Sequence, residues 1–293
     1  MSHLYWHRGL IPWYHLTFTS GYHLDPALDR GLNAALRAIE LEPNLAEAHY
    51  SSGLLRSIKG EFIEAELAYR KAMELSYDPM NCYQFGLPFH SLAVGNYERA
   101  NEIIEAARQT DPLNQTIDGI SLQISGLLGD VQRAEEKYRR GKEIFGDQWI
   151  LGNFYITILR LGVKKDITRD DLAYFDPFVD AVLKEHLDSP KEGLAELRRI
   201  YSNDDNLPSA AFGIISVLAA YFGDPEFAME AMEKAVSIDG NWISCNWYPV
   251  MREVRQLSRF KEFVREIGLV KYWNKFGWPD FCRPLDNGNF ECD

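Results

Sequence analysis

The sequence has few cysteines, and their spacing fits neither a disulfide framework nor a metal site. The four cysteines, Cys82, Cys245, Cys282 and Cys292, include no CxxC pair. Disulfide-rich secreted domains and structural zinc sites both need closer and more regular spacing. A reduced compartment is therefore the default prediction, and we expect a cytoplasmic location. Cys282 and Cys292 lie ten residues apart, so a bond between these two stays an open alternative.

Long apolar runs and a signal peptide are also lacking. The segment Met1–Leu16 has no charged start followed by an apolar run and a cleavage site. The most apolar stretch, Leu207–Gly223, spans 17 residues and contains Pro208. A membrane-spanning helix needs about 20 predominantly apolar residues. These absences argue against a membrane protein.

Basic residues are scarce as well. Lysine and arginine total 31 against 43 aspartates and glutamates, which gives a net charge of -12. Basic runs are no longer than pairs such as Arg139-Arg140 and Arg198-Arg199. A chain with this balance repels nucleic acids and anionic lipids. We therefore expect no direct nucleic-acid partner.

What the sequence does contain is a recurring pair of short amphipathic helices. The clearest copy, Ala46–Pro79, bends at Gly60 and ends at a proline, which cannot continue a helix. Ala65 and Ala72 are small residues at the positions where two helices must approach closely. Tyr69 is the large residue between them. This pattern predicts a helical hairpin.

The hairpin pattern returns about every 34 residues, the period of a tetratricopeptide (TPR) repeat. Later copies share a turn glycine (Gly95, Gly129, Gly223) and paired small residues (Ala100 and Ala107, Ala134 and Gly141, Ala228 and Ala235). Stacked hairpins of this period form a superhelix in which each unit contacts its neighbours. The predicted fold is all-α: a right-handed α-solenoid of TPR-like hairpins with an irregular aromatic C-terminal cap.

The predicted organisation is one continuous solenoid domain in three parts. Residues 1–43 form a degenerate first repeat, as terminal repeats often do because one face has no neighbour. Residues 44–240 hold the TPR-like repeats, with an irregular unit over 163–206 that begins with the charged insertion Val163–Asp171. Residues 241–293 form the C-terminal helices and the aromatic cap.

The C-terminal tail, Gly268–Asp293, is rich in aromatic residues and broken by Pro279 and Pro284. The prolines predict irregular structure after about Lys275. Burying one large ring stabilises a fold by roughly 1.5–3 kcal/mol, so the rings should not remain in water. We expect the tail to fold back onto the repeats.

From Ala46 to Ile238 the chain resembles tetratricopeptide-repeat proteins, because several units share the turn glycine, paired small residues and terminal proline. The tail, with Tyr272-Trp273, GWPDFCRP over 277–284 and FECD over 290–293, is similar to the closing segment of bacterial TPR regulatory regions. In that family, such regions follow a winged-helix DNA-binding domain or a nucleotide cyclase domain. We find neither output domain in this sequence. The resemblance implies a sensor or scaffold region of a bacterial transcription or signalling protein.

The predicted binding site is the concave face lined by the first helix of each repeat. TPR grooves that grip a terminal carboxylate need lysine, arginine or asparagine there, whereas these positions are mostly apolar or aromatic. They favour an apolar or aromatic peptide or a small hydrophobic molecule. The alternative is that the protein's own tail covers these side chains. Counted from the turn glycines, the predicted groove residues are Tyr50, Leu54, Phe85, Phe89, Leu92, Gln123 and Tyr221.

The sequence contains no catalytic constellation that we can identify. His3 and His7 have the spacing of two metal ligands on a helix, but no third ligand follows. His90 and Ser91 are adjacent, and adjacent helical residues do not face one another as a base and a nucleophile must. The predicted function is a non-catalytic protein- or peptide-binding scaffold or regulatory module without cofactor or metal. The alternative is a small-molecule-sensing regulatory domain.

Overall fold

A computed structural model gives the structure of residues 25–76, 86–146, 149–163, 167–171, 177–203, 207, 209–286 and 288–293. These residues are predominantly helical, which confirms the all-α prediction. The opening helix expected before Ser20, the repeat terminator Pro79 and the groove residue Phe85 lie outside the described residues.

The first seven described helices follow one another through short connections, apart from the interval between α3 and α4. A helix at the predicted second half of the first repeat comes first, and three further pairs follow. The helices are α1 Asp25–Leu41, α2 Ala46–Ile58, α3 Phe62–Leu75, α4 Gly86–Ala93, α5 Tyr97–Thr110, α6 Gln115–Leu127 and α7 Val131–Phe145.

The second half of the repeat region contains the irregular unit and a regular pair. The charged insertion contributes a short 3-10 helix, Arg169–Asp171. The α-helices are α8 Ile150–Val163, α9 Pro177–His186, α10 Pro190–Asn203, α11 Ser209–Tyr221 and α12 Pro225–Ile238.

The C-terminal segment, residues 240–286 and 288–293, has a different construction from the repeats. It begins with two 3-10 helices, Gly240–Trp247 and Pro249–Met251. Three short α-helices follow, and a two-stranded antiparallel hairpin ends the segment. These elements are α13 Arg252–Gln256, α14 Ser258–Glu266, α15 Leu269–Phe276, β1 Cys282–Pro284 and β2 Phe290–Cys292.

The turns between paired helices depend on glycine. Gly60, Gly95, Gly129 and Gly223 have φ angles of 74°, 84°, 78° and 89°, in the left-handed region that glycine adopts without a steric penalty. The residue after Gly223, Asp224, caps the next helix by accepting a hydrogen bond from a backbone N–H. Asn96 and Asp130 cap α5 and α7 in the same way, so at these three turns glycine and cap together explain where one helix ends and the next begins.

Small residues let the helices of a pair approach closely. Ala65 and Ala72 are fully buried on α3 beside Tyr69. A Cβ placed on Gly53 of α2 would lie only 3.0 Å from the Tyr69 ring. The close-approach positions identified in the sequence therefore lie at helix contacts. Replacing them with larger residues would overpack these contacts.

Two tryptophans bond to residues that lie one period earlier in the chain. Trp149 donates its indole N–H to the Gln115 carbonyl at 3.0 Å, across 34 positions. Trp242 makes the same type of bond to the Ser209 hydroxyl at 3.1 Å, across 33 positions. Gly141 leaves room for the Trp149 ring, since a Cβ there would lie 1.9 Å from it. The sequence period thus corresponds to a lateral contact in the fold.

The most apolar stretch of the chain forms a buried helix. Its helical part, α11, has 13 residues and packs against α12. Ten of its residues, from Ser209 to Ala219, are buried. No helix among the described residues is long and apolar enough to cross a bilayer.

The hydrophobic core runs through both the repeats and the C-terminal segment. One cluster of buried residues extends from Phe62 to Phe290 and includes Leu92, Trp247 and Trp273. A smaller cluster around Tyr69 lies between α2, α3 and α4. The tail therefore folds back onto the repeats, as its aromatic content predicts.

Two expectations for the tail need correction. Helix α15 ends at Phe276, but the residues beyond it are not all irregular, because β1 and β2 form a hairpin. The hairpin register places Cys282 opposite Cys292, and the two form a disulfide with Cα atoms 4.1 Å apart. The default prediction of reduced cysteines is therefore wrong for this pair, and the open alternative is correct.

Candidate functional site: the contact between the repeats and the C-terminal segment

The first 3-10 helix of the C-terminal segment lies against the turn between α2 and α3. A Cβ on Gly240 would lie 2.9 Å from the Gly60 backbone, so these two segments are in backbone-to-backbone contact. The Ser57 hydroxyl is 2.8 Å from the side-chain oxygen of Asn241. The end of the repeat region thus returns to its beginning.

Two tryptophans of the C-terminal segment bond to the C-terminal end of α4. Trp247 donates its indole N–H to the Ala93 carbonyl at 3.3 Å. Trp273 donates to the neighbouring Val94 carbonyl at 3.0 Å. The last carbonyls of a helix have no partner within the helix and need donors from elsewhere. An indole supplies such a donor from an apolar ring, so it can satisfy these carbonyls while remaining buried.

The next contact is made by the residues that follow α15. Pro279 packs so closely on Gly95 that a Cβ at this glycine would lie 2.5 Å from the proline ring. The Asp280 carboxylate accepts a hydrogen bond from the Tyr97 N–H at 3.2 Å. The rings of Phe281 and Tyr97 lie 5.3 Å apart. Gly95 therefore serves both as a turn residue and as the surface on which the tail rests.

A buried carboxylate, Glu66 on α3, connects the repeats to α15. Arg99 of α5 donates to both Glu66 oxygens at 2.7 Å, and Arg70 donates at 2.6 Å. The Tyr272 hydroxyl donates at 3.1 Å, and His90 Nε2 lies 3.3 Å away. Four helices therefore meet at one fully buried carboxylate. We call Glu66, Arg70, His90, Arg99 and Tyr272 the Glu66 centre.

The Glu66 centre fixes the charge states of its acid and its imidazole. Burial alone would raise the pKa of the Glu66 carboxyl, but His90, Arg99 and Arg70 outweigh it and hold the pKa well below its usual value. Burial lowers the pKa of His90, and the nearby carboxylate only partly opposes this shift. At neutral pH the centre therefore contains an ionised Glu66, two cationic guanidinium groups and a neutral imidazole.

Arg255 on α13 holds the C-terminal segment together from inside. Its guanidinium donates to the carbonyls of Asn246 and Tyr248, and it donates to the Asp293 carbonyl at 2.6 Å. Burial lowers the pKa of Arg255 to about 10, so the group remains charged at neutral pH. The guanidinium also lies over the Phe281 ring at 5.7 Å. The position of the tail thus depends on this buried cation.

The protein itself covers three of the predicted groove residues. Tyr50 is buried, contacts the Tyr69 ring at 5.6 Å and accepts a hydrogen bond from the Gly86 N–H at 2.9 Å. Leu92 is fully buried in the main core. Gln123 is 3% exposed and lies next to Tyr248 of the C-terminal segment. In this conformation these three side chains are not accessible to a partner.

The other described groove residues are partly exposed. Leu54 packs against the small cluster around Tyr69, and Phe89 packs against the main core. Tyr221 lies far along the chain, and its ring contacts Phe222 at 5.4 Å. Phe85 lies outside the described residues. The six described members of the predicted set therefore do not form one open surface in this conformation.

A small cavity lies between α8, α9 and α11. Its volume of about 10 Å³ leaves room for no more than about one water molecule. Its lining is apolar apart from a threonine, and includes Phe154, Leu183 and Ile214. A metabolite needs far more room, because ligand pockets typically enclose about 300–1,000 Å³. Binding of a metabolite here would require a conformational change.

The Glu66 centre was not predicted from the sequence, where His90 was considered only as a base for Ser91 and Tyr272 only as part of the tail. One signal was present: Phe62, Ala65, Glu66, Tyr69 and Ala72 form the buried stripe of α3, and Glu66 is its only acid. An acid on an apolar stripe is costly to bury unless it is paired, so a partner should be sought. Arg99 stands 33 positions later, one period away. The participation of Tyr272, 206 positions away, carries no such signal.

Comparison with models of known protein families finds no match, and comparison with curated protein sequences finds none either. The function proposed for this chain therefore depends on its own residues and contacts.

Proposed function

We propose that this protein is a non-catalytic interaction and regulatory module of the TPR type, built as a right-handed solenoid. Helix pairs turning at left-handed glycines and bonds between residues 33 or 34 apart support this repeat assignment. The resemblance of the tail to bacterial TPR regulatory regions supports a regulatory role in transcription or signalling.

The binding specificity that we propose is for an aromatic polypeptide segment. The main support for this specificity is the position of Trp247 and Trp273, whose indoles donate hydrogen bonds to carbonyls at the end of α4. In this structure the end of α4 already binds an aromatic segment, namely the C-terminal segment of the same chain. A partner segment with suitably spaced aromatic rings would compete for the same surface.

The Glu66 centre is better suited to holding the tail than to catalysis. Glu66 and His90 are both fully buried, and Tyr272 closes the centre from the side of the tail. Catalysis requires that a substrate reach the acid or base within hydrogen-bonding distance. We therefore assign the Glu66 centre a structural role.

The disulfide also indicates in which kind of cellular compartment the protein functions. Disulfides persist in oxidising environments and are rare in the reduced cytoplasm. The bond between Cys282 and Cys292 therefore favours an oxidising compartment over the cytoplasmic location predicted from the cysteine count.

The test is binding of a labelled peptide with the sequence of residues 269–281 to the full-length protein. Asp280→Ala removes the bond to the Tyr97 N–H and should loosen the tail. Because Asp280 is exposed, we take the value of an ordinary hydrogen bond, about 0.5–1.5 kcal/mol, which is roughly 2- to 10-fold in the open population. The apparent Kd should fall by about that factor. Asp286→Ala is the matched control, since Asp286 is exposed in the hairpin turn, and it should leave the Kd unchanged.

Two results would overturn the proposal. One is equal peptide affinity for wild type and Asp280→Ala, which would show that the tail and the peptide do not compete. The other is no measurable binding to any of the three proteins at peptide concentrations near 1 mM, roughly the effective concentration of a tethered segment.

A further inference from the structure

The C-terminal hairpin is too small to hold its own shape. Strands β1 and β2 have three residues each, and an isolated two-stranded hairpin is marginal in water even when it is longer. A bond between Cys282 and Cys292 closes it, across ten positions of the chain. Closing a loop of this size favours the closed form by a factor of about 100.

The hairpin in turn holds the tail against the repeats. Phe290 on β2 is fully buried, with its ring 5.9 Å from Trp273 and 5.7 Å from Trp278. The Asp293 N–H donates to the Phe281 carbonyl at 2.9 Å, which joins the end of β2 to the residues that rest on Tyr97. The covalent bond therefore supports the contacts that cover Tyr97 and Trp273.

The two sulfur atoms differ in their surroundings. Cys282 is 5% exposed, whereas Cys292 is only partly buried. Access helps to decide which sulfur a thiolate attacks, and it favours Cys292. The remaining described cysteine, Cys245, is buried, and burial raises the pKa of its thiol to about 12. It therefore does not act as an exchange partner.

We propose that the disulfide is a redox latch whose reduction by an external dithiol releases the hairpin and uncovers the aromatic surface around Tyr97 and Trp273. A thiolate of the dithiol attacks the Cys292 sulfur, the disulfide breaks, and Cys282 leaves as a thiolate that takes up a proton. The second thiol of the reagent then attacks the mixed disulfide and releases Cys292, which is protonated in turn. Two electrons and two protons pass to the protein, and the dithiol becomes a disulfide.

The test compares hydrogen exchange of the full-length protein, oxidised and after treatment with dithiothreitol at neutral pH. The informative amides are those of Tyr97, Leu285 and Asp293, whose bonds depend on the closed tail. We expect their exchange to rise at least ten-fold on reduction. Exchange within the α11–α12 pair, residues 209–238, should not change. These readouts need no binding partner, so they are independent of the peptide experiment.

A double variant separates the bond from other effects of the reductant. Cys282→Ser with Cys292→Ser should exchange like the reduced protein and should not respond to dithiothreitol. Cys82→Ser, which removes a cysteine outside this pair, should respond as the wild type does. If the double variant does not fold, the comparison of oxidised and reduced wild type still decides the question.

Three results would overturn the latch. The first is that the bond is reduced only after the whole chain unfolds. The second is that the reduced protein exchanges at the oxidised rates at all three informative amides. The third is a uniform rise in exchange that includes residues 209–238, which would show that the disulfide stabilises the whole fold and does not act on the tail alone.

Discussion

Replacing Glu66 with glutamine tests whether the Glu66 centre holds the tail on the repeats. The substitution keeps the shape of the side chain and removes its charge. In the wild type the carboxylate is fully buried and neutralises Arg99 and Arg70. In Glu66→Gln these two cations lose their common counter-ion, and Tyr272 loses a charged acceptor. We therefore expect a large loss of stability from an isosteric change.

The magnitude follows from burial. Removing one partner of a buried ion pair costs about 3–5 kcal/mol. The side chains of Arg99 and Arg70 are 22% and 54% exposed, so both can partly turn to water. Because solvent can partly stabilise the two unpaired cations, we expect a loss of unfolding free energy at the lower limit of this range, about 3 kcal/mol. For a chain of this size the melting temperature should fall by roughly 5–10 °C.

The pH dependence has a definite sign. The folded-state pKa of Glu66 is below its usual 4.5, so its stabilising contribution is complete above pH 4.5. It is lost progressively as the pH falls towards the folded-state pKa. The stability difference between wild type and Glu66→Gln should therefore be constant from pH 5 to 8 and should narrow below pH 4.5.

The assay is urea unfolding followed by far-UV circular dichroism and tryptophan fluorescence, at several pH values. Glu64→Gln is the matched control, because Glu64 is exposed on the same helix. Its effect should stay within about 0.5 kcal/mol. The reasoning fails if Glu66→Gln is no less stable than Glu64→Gln, or if the difference does not change between pH 6 and pH 3.

Two further substitutions test the helix contacts and a second buried acid. Ala72→Leu should destabilise the fold by about 1–3 kcal/mol, because Ala72 is fully buried at a helix contact. Calorimetry measures the effect, with Lys71→Leu, a change at an exposed neighbour, as the control. Equal melting temperatures for the two variants would show that the repeat register is wrong. Burial raises the pKa of Asp239 to about 6 from an ordinary 3.8, so its stabilising contribution is complete below pH 3.8 and is lost as the pH rises through 6. Asp239→Asn should therefore stabilise by up to about 3 kcal/mol at pH 8 and by little at pH 4, as urea unfolding will show; a gain of the same size at both pH values would contradict this account.

The helix pairs were predictable because their signals are local. A glycine that permits a left-handed turn, small residues seven positions apart on one helix face, and a capping side chain before the second helix all act within one hairpin. The starts of α5 and α12 and the turns at Gly95 and Gly223 follow from such signals. The disulfide was left open for a related reason: ten intervening positions permit the bond, but only the hairpin register places Cys282 opposite Cys292.

The site was less predictable because it joins distant parts of the chain. Counting from the turn glycines identifies helix positions, but it does not reveal what lies against them. Tyr50 proved to be an acceptor for the Gly86 N–H, and Gln123 lies beside Tyr248. The aromatic composition of the tail predicted that it must be covered. It did not predict that the tail's indoles would bond to carbonyls at the end of α4.

The long-range contacts also change how the repeats should be regarded. In an open solenoid each repeat contacts only its neighbours, and stability is roughly a sum of repeat and interface contributions. Here Trp273 bonds to Val94 across 179 positions, and Tyr272 bonds to Glu66 across 206. The last described elements therefore stabilise the first repeats directly. The C-terminal segment thus contributes to the same hydrophobic core as the helix pairs. A change that releases this segment affects the early repeats and the aromatic surface together, because both depend on the same contacts.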